Sequence, residues 1–495
     1  MPDQPGPEPI IPGFYPDPTI CRVGDDYYLA CSSFEYFPGV PIHHSTDLVD
    51  WTLVANALDR PEQLALAGAR SSGGIYAPTL RHHDGLFWLV TTNVSAHGHV
   101  IYTAQDPRGP WSDPIAVDGA VGIDPDLAWD AEGTCWLTYS ELGGGGFDAV
   151  SGQIKQVRLD PRSGRTLEAP RPLWSGTGLQ FPEAPHLYEI DGTWYLLIAE
   201  GGTGPGHAVS IARGPSPSGP FEGCPHNPIL SHRSTNHPVQ NTGHADLVQA
   251  PDGSWWMVLL GIRRAGAIPE VHVLGRETFL TPVRWVDGWP VVEPVPLERP
   301  RDDPPHRDDF EVPRLGPEWI SVRTRPDDAW SLTERPGSLV LHARDGSIDT
   351  PEPAFAGRRQ QHQRFTARAA VDAADGRGGL VVRIDESHFY AIEAGEGEVR
   401  CHARVGPFTR TTALHPAPAG AILRIDAVPD PAGHGPDLLR LGLEEHGEHV
   451  AIAELDGRYL STEVAGGFTG RVIGLYAAEG TVAFDWFEYA GTDAG

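Results

Sequence analysis

Phe181-Pro182-Glu183-Ala184-Pro185-His186-Leu187-Tyr188-Glu189-Ile190-Asp191-Gly192-Thr193-Trp194-Tyr195-Leu196-Leu197-Ile198 decides the fold of this 495-residue chain. A polar strand start, an Asp-Gly turn, an aromatic pair and an apolar run make one β-hairpin unit. The same phrase occurs at Asp17-Pro18-Thr19-Ile20 with Tyr27-Tyr28-Leu29, and at Ala77-Pro78-Thr79-Leu80 with Phe87-Trp88-Leu89. It returns at Asp124-Pro125-Asp126-Leu127 with Cys135-Trp136-Leu137, and at His244-Ala245-Asp246-Leu247 with Trp255-Trp256-Met257. A spacing of about 50–60 residues is near the period of a four-stranded propeller blade. Five phrases predict five blades, with the first strand of each facing the central axis.

Around the repeats, residues 1–298 read as the propeller, 299–309 as a linker rich in Pro and charge, and 310–495 as a second β-domain. The phrase stops after the linker, and short runs such as Leu380-Val381-Val382-Arg383-Ile384 and Phe389-Tyr390-Ala391-Ile392 predict a two-sheet β-sandwich. The run Leu142-Gly143-Gly144-Gly145-Gly146 lacks the Gly-Lys-Ser/Thr of a phosphate loop and is read as a blade loop. The chain is all-β throughout.

A formal net charge of -29 disfavours nucleic acid and anionic membrane as partners, because both repel an acidic surface. It suits a small neutral ligand. Five cysteines without metal-site spacing suggest no disulfide framework. The N-terminus lacks the charge and apolar core of a signal peptide, so a cytoplasmic location is expected.

Aligning the phrases puts Asp17, Ala77, Asp124, Ala184 and His244 in one register. The alanines show that the fold requires no acid there, which makes Asp17 and Asp124 candidates for chemistry. Glu183 stands one residue earlier, and a regular strand would turn it away, so a bend at Pro182 is expected. Glycosidic hydrolysis needs an acid for the departing oxygen and a base for water, or a nucleophile. Asp17, Glu183 and Asp124 could meet that need, with the charge of Asp124 keeping Glu183 protonated. Each is alternatively a strand-end carboxylate bonded to backbone N–H groups, as Asp106 and Asp113 are expected to be. His244 is either a satisfied hydrogen-bonding residue or a contact for a channel cation. Arg276 is expected to pair with Asp124 and bind sugar hydroxyls, or to form a surface ion pair. Phe34 and Tyr76 offer flat faces to a sugar ring.

In these residues the chain resembles glycoside hydrolase family 43, the inverting β-xylosidases and α-L-arabinofuranosidases. The likeness runs through Gly13–Pro18, Phe34–Ser45, Gly73–Pro78, Gly122–Pro125, Glu183–Tyr188, Ala199–Gly204, Gly243–Ala245 and Leu274–Thr278. It implies Asp17 as general base, Glu183 as general acid and Asp124 as the tuner of Glu183. It further implies calcium near His244, a sugar-binding Arg276, and a jelly-roll, concanavalin-like sandwich whose Gly466-Gly467-Phe468-Thr469-Gly470 loop brings Phe468 to the pocket mouth. Relatives with this sandwich are often dimers or tetramers, which extends to an expected homo-oligomer. Tyr76 stands where xylosidase relatives often carry Trp, and Ala184 where Gly is frequent. The implied activity is exo-acting release of terminal xylose or arabinofuranose from xylo- or arabino-oligosaccharides. Alternatives are an α-L-arabinofuranosidase alone and a non-catalytic carbohydrate-binding propeller. A retaining fructan hydrolase would need an Asn-Asp-Pro-Asn type of motif, where this chain has Pro16-Asp17-Pro18-Thr19.

Overall fold

Each of the five phrases begins a separate sheet in the computed structural model, which describes residues 6–141, 152–266, 268–298, 304–324, 329–412, 414–417 and 420–493. The Gly143–Gly146 run lies outside the described residues. Blade one comprises Thr19–Val23, Asp26–Ala30, Gly39–Ser45 and Thr52–Leu58, and blade two Thr79–His83, Leu86–Asn93, Gly98–Ala104 and Ile115–Ala116. Blade three runs Ile123–Trp129, Cys135–Glu141, Gln153–Asp160 and Arg165–Thr166, with Arg171–Trp174 also on its third strand. Blade four runs Glu183–Ile190, Thr193–Glu200, Ala208–Gly214 and Glu222–Gly223, and blade five Val239–Gln249, Trp255–Arg263, Glu277–Val286 and Trp289–Val292.

The aromatic and aliphatic residues of these phrases pack face to face between neighbouring blades. Leu80, Phe87 and Leu89 meet Ala30 and Ile42 of blade one, while Leu127 and Leu137 meet Trp88 and Val90 of blade two. Blades five and one close on Ile20, Tyr27, Leu29, Val248 and Val258. Gly6–Pro7 pairs with Leu297–Glu298, so the two ends of the propeller segment clasp each other.

Two to four residues beyond the aligned positions, the same inner strands build a plug across the axis. Arg81 donates to Asp126 (2.8 Å) and Asp246 (3.0 Å), and its third contact is His186 Nδ1 at 3.0 Å. Thr19 adds a hydroxyl bond to Asp246 at 2.8 Å. Asp126 and Asp246 are fully buried. This network ties together one side chain from each of the five blades.

The second domain is a single 13-stranded sheet system folded as a sandwich. Its spine is the pair Arg364–Asp385 and Val472–Thr492, registered along nearly their whole length. Its core gathers Leu380, Val382, Ile392, Leu423, Leu441 and Phe484 among others. This sheet begins earlier than the sequence suggests: His306–Asp308 pairs with Phe487–Tyr489, inside the expected linker. A charged edge strand with one face in water lacks the apolar run that marks a strand in sequence. The domains are joined by a further strand pair, Tyr36–Phe37 with Ser321–Val322. One apolar cluster crosses the boundary, from Phe14, Phe34, Tyr36 and Tyr76 to Phe355, Val381, Phe389 and Tyr476.

Candidate active site

The aligned positions share an uncommon backbone. Asp17 (φ 57°), Asp124 (φ 54°), Ala184 (φ 51°) and His244 (φ 45°) are all left-handed, whereas Ala77 is not among the left-handed residues. In blades three, four and five the strand pairing skips one residue at this point, between Ile123 and Asp126, Glu183 and His186, and Gly243 and Asp246. Such a bulge breaks the strict alternation of side chains. It therefore lets Glu183 and Asp124, which differ by one in register, face the same cavity. The bend expected near Pro182 is this bulge at Ala184. A non-glycine residue held left-handed costs about 1–2 kcal/mol, and four such residues at one end of one channel are a signature of a functional site.

A cavity of about 250 Å³ sits above the plug, lined by Asp17, Asp124, Glu183, His244, Arg276, Phe34, Tyr76 and Phe468. Every residue singled out from the sequence thus reaches one pocket. Asp106 and Asp113, expected to be structural, lie outside the pocket, Asp106 at a surface turn paired with Arg108 and Asp113 in an exposed irregular stretch paired with Arg60.

The two outer carboxyls have opposite surroundings. Asp17 Oδ1 accepts from Arg276 Nη1 at 2.9 Å and faces His244 Nδ1 at 3.5 Å, while Oδ2 accepts from Ser32 at 2.6 Å. Burial by itself would raise this carboxyl, but Arg276, then His244 and the Ser32 hydroxyl outweigh it and hold it below its ordinary value. Glu183 has no such support. Burial, then the charges of Asp124 and Asp17, drive it well above the usual carboxylate range, with Arg276 opposing. Asp124 is pushed up to about 7 by burial and the charge of Asp17, against the Ala184 N–H that donates to its Oδ2 at 3.1 Å. That same bond anchors the peptide next to Glu183. Glu183 has no comparable donor among the described residues.

Arg276 corrects one expectation: its ion pair is with Asp17, not Asp124. It also donates to Thr203 at 3.0 Å, and its guanidinium lies 5.3 Å from the Phe468 ring centroid and 5.9 Å from that of Phe34. Phe34 and Phe468 stack at 5.9 Å, and Tyr76 stands edge-on to both. The loop carrying Phe468 is held to the propeller by the Ser72 hydroxyl, which accepts the Phe468 N–H at 2.8 Å. Backbones touch where Gly470 meets Leu274 and Gly275; a Cβ on Gly470 would lie 2.3 Å from the Leu274 carbonyl.

Sequence reasoning assigned no role to Ser32, Phe181, Thr203 or His207. Thr203 stands in the Ala199–Gly204 motif, and Ser32 follows the first hairpin, but neither position carries a pattern of its own. His207 is three residues past that motif, and its closeness to Glu183 (3.8 Å) arises from folding alone.

Residues 7–290 match the model of Glycosyl hydrolases family 43, and residues 307–490 match the Beta xylosidase C-terminal Concanavalin A-like domain. The chain is 41% identical to a non-reducing end alpha-L-arabinofuranosidase of Bacteroides ovatus, over 97% of this chain and 94% of that protein. It is 38% identical to a xylosidase/arabinosidase of Butyrivibrio fibrisolvens, over 97% and 98% of the two chains. The solved structure of Bacteroides ovatus xyloglucan PUL GH43B superimposes with a TM-score of 0.88 at 39% identity, covering 99% of this chain and 100% of that one.

Proposed function

The chain belongs to glycosyl hydrolases family 43, and on that premise we propose that it removes single terminal pentoses, xylose or arabinofuranose, from short neutral oligosaccharides with inversion at the anomeric carbon. That it is a glycoside hydrolase follows from the family itself. The reading of its chemistry rests on one observation: two carboxyls of one pocket have opposite surroundings, Asp17 held by Arg276 and Ser32 with His244 beside it, Glu183 without a comparable donor among the described residues, which favours ionisation of the first and protonation of the second. Carboxyls split in this way take the roles of base and acid.

In this mechanism the terminal sugar enters past Phe468 and stops above the Arg81 plug. The cavity, at about 250 Å³, is below the ~300–1,000 Å³ of pockets for drug-sized ligands, which fits one ring rather than a threaded chain. Asp17 removes a proton from water as its oxygen attacks the anomeric carbon. Glu183 gives its proton to the departing glycosidic oxygen as that C–O bond breaks. Asp124 holds the Ala184 peptide and keeps Glu183 protonated until then. Exchange of the two protons with solvent resets the site.

A calcium ion at His244 would have one imidazole nitrogen from that residue and would need water for most of its ligands. Calcium takes six to eight oxygen ligands. Among the described residues no group of three or more His, Cys, Asp or Glu could hold a metal, and Arg276 already occupies the Asp17 oxygen nearest His244. No step of the mechanism uses an ion. The free, buried state of all five cysteines supports the cytoplasmic location.

Proton NMR of the first-formed product from xylobiose or an arabinofuranosyl oligosaccharide tests the reading. Inverted configuration is expected; retention would remove the role of Asp17. The relatives' names include both sugars, and rates on nitrophenyl xylopyranoside and nitrophenyl arabinofuranoside separate the two activities.

A further inference from the structure

His207 lies under the pocket wall, 1% exposed, immediately before the third strand of blade four. Its Nδ1 is 3.0 Å from the carbonyl oxygen of Asn241. A carbonyl can only accept, so Nδ1 carries the hydrogen and Nε2 carries a lone pair. That Nε2 is buried without a hydrogen-bond partner among the described residues, and Oε1 of Glu183 stands 3.8 Å away. The ring cannot retreat. Gly243 packs on it so tightly that a Cβ there would lie 2.3 Å from the imidazole. An unpaired buried acceptor of this kind costs about 1–3 kcal/mol in a typical protein, so its retention calls for a reason.

We propose that His207 is a positioning residue that stores the proton on Glu183 and aims it, by accepting a hydrogen bond from the protonated carboxyl through Nε2. The inference rests on Glu183 being the acid. A lone pair attracts a carboxyl O–H and repels a carboxylate, so the bond exists only while Glu183 holds its proton. Closing 3.8 Å to the ~2.7–3.2 Å of a hydrogen bond needs a small torsion of the glutamate side chain. His207 does not compete for the proton: burial, with Arg276 and His244 nearby, holds the imidazole down to about 3 despite the Asn241 bond and Asp17. When the leaving oxygen arrives, the same O–H turns from Nε2 to it and the proton transfers. The other charges facing Glu183 are Asp124, Asp17 and Arg276; His207 also acts on Asp17, whose titration sets the acidic limb, so the basic limb alone is read for Glu183.

The test separates the two nitrogens. His207→Asn can keep the donor to Asn241 while removing the acceptor; His207→Gln places an amide oxygen near the Nε2 position. Losing a bond made only by the protonated acid lowers the Glu183 pKa. The basic limb of kcat/KM should then move down by about one pH unit in His207→Asn and return in His207→Gln. The rate on xylobiose, a poor leaving group, should fall about tenfold near the limb while that on nitrophenyl xylopyranoside changes less than about threefold. An unmoved limb, or equal losses on both substrates, would overturn the proposal. If the Asn variant does not fold, nitrogen-15 NMR of the native enzyme decides, with the His207 signal assigned by its loss in His207→Gln. The Nδ1–H tautomer between about pH 5 and 8 supports the proposal, and the Nε2–H tautomer refutes it. Glu183→Gln distinguishes this from failure of the underlying reading. If that variant still cleaves xylobiose, Glu183 is not the acid; if it does not, a null result at His207 counts against His207 alone.

Discussion

Replacing Arg276 by Met tests the electrostatic design most directly. The guanidinium donates to Asp17 at 2.9 Å, both side chains are under 10% exposed, and Arg276 is the largest influence opposing burial of that carboxyl. Removing one partner of a buried pair costs about 3–5 kcal/mol, which corresponds to about 2–4 pKa units on the stranded carboxylate. Ser32 at 2.6 Å and His244 at 3.5 Å remain and favour the low end, about 2 units. In the native enzyme Arg276 holds the Asp17 carboxyl below its ordinary value, so the base stays ionised until the pH falls through that lowered pKa. In Arg276→Met the acidic limb of kcat/KM should move up by about 2 pH units, and one pH unit below the new limb kcat/KM should be about tenfold below its plateau. The assay is the pH dependence of kcat/KM, which reports the free enzyme, on nitrophenyl xylopyranoside or arabinofuranoside. Met preserves the aliphatic stem between Phe34 and Phe468. A plateau lowered by lost sugar binding does not disturb the diagnosis, because the position of the limb is what is read. An acidic limb that moves by less than about half a unit would refute the account of how Asp17 is kept ionised.

Two other changes address the rim and the plug. Phe468→Ala removes a ring that contacts Phe34, Tyr76 and Arg276; KM should rise about tenfold with kcat changed less than about threefold, and a loss confined to kcat would contradict a binding role. Arg81→Met removes the cation shared by the buried Asp126 and Asp246 and leaves them only hydrogen bonds such as those from Leu187 and Thr19, so urea unfolding should show about 3 kcal/mol less stability, the low end of the range for breaking a buried ion pair. A loss below about 1 kcal/mol would show that the plug does not brace the blades.

The five-blade reading was available because each blade repeats its own hairpin, so strand period and turn chemistry recur where only local sequence matters. Asp17, Asp124 and His244 could be aligned for the same reason. Glu183 could not be placed by register, since a bulge is a property of paired strands and leaves little trace in a single one. The sequence does not separate Asp17 from Asp124 as the partner of Arg276, because the two occupy equivalent positions and only the closed ring decides which is nearer. His306–Asp308 reads as linker because its charges obscure an edge strand. Ser32 and His207 escaped notice altogether: one hydroxyl and one imidazole gain meaning from neighbours that lie in other parts of the fold.

The strand pair Tyr36–Phe37 with Ser321–Val322 has a consequence for any attempt to treat the C-terminal half as an accessory. Phe34 lies two residues from that seam, and the ring stacked on it belongs to the other half of the molecule. Cutting the protein at the boundary would bare an oily flank and dismantle part of the sugar's own enclosure. Grafting a foreign sandwich would install a new doorway. Exchange of C-terminal halves between such enzymes is therefore a change of substrate preference as much as of architecture.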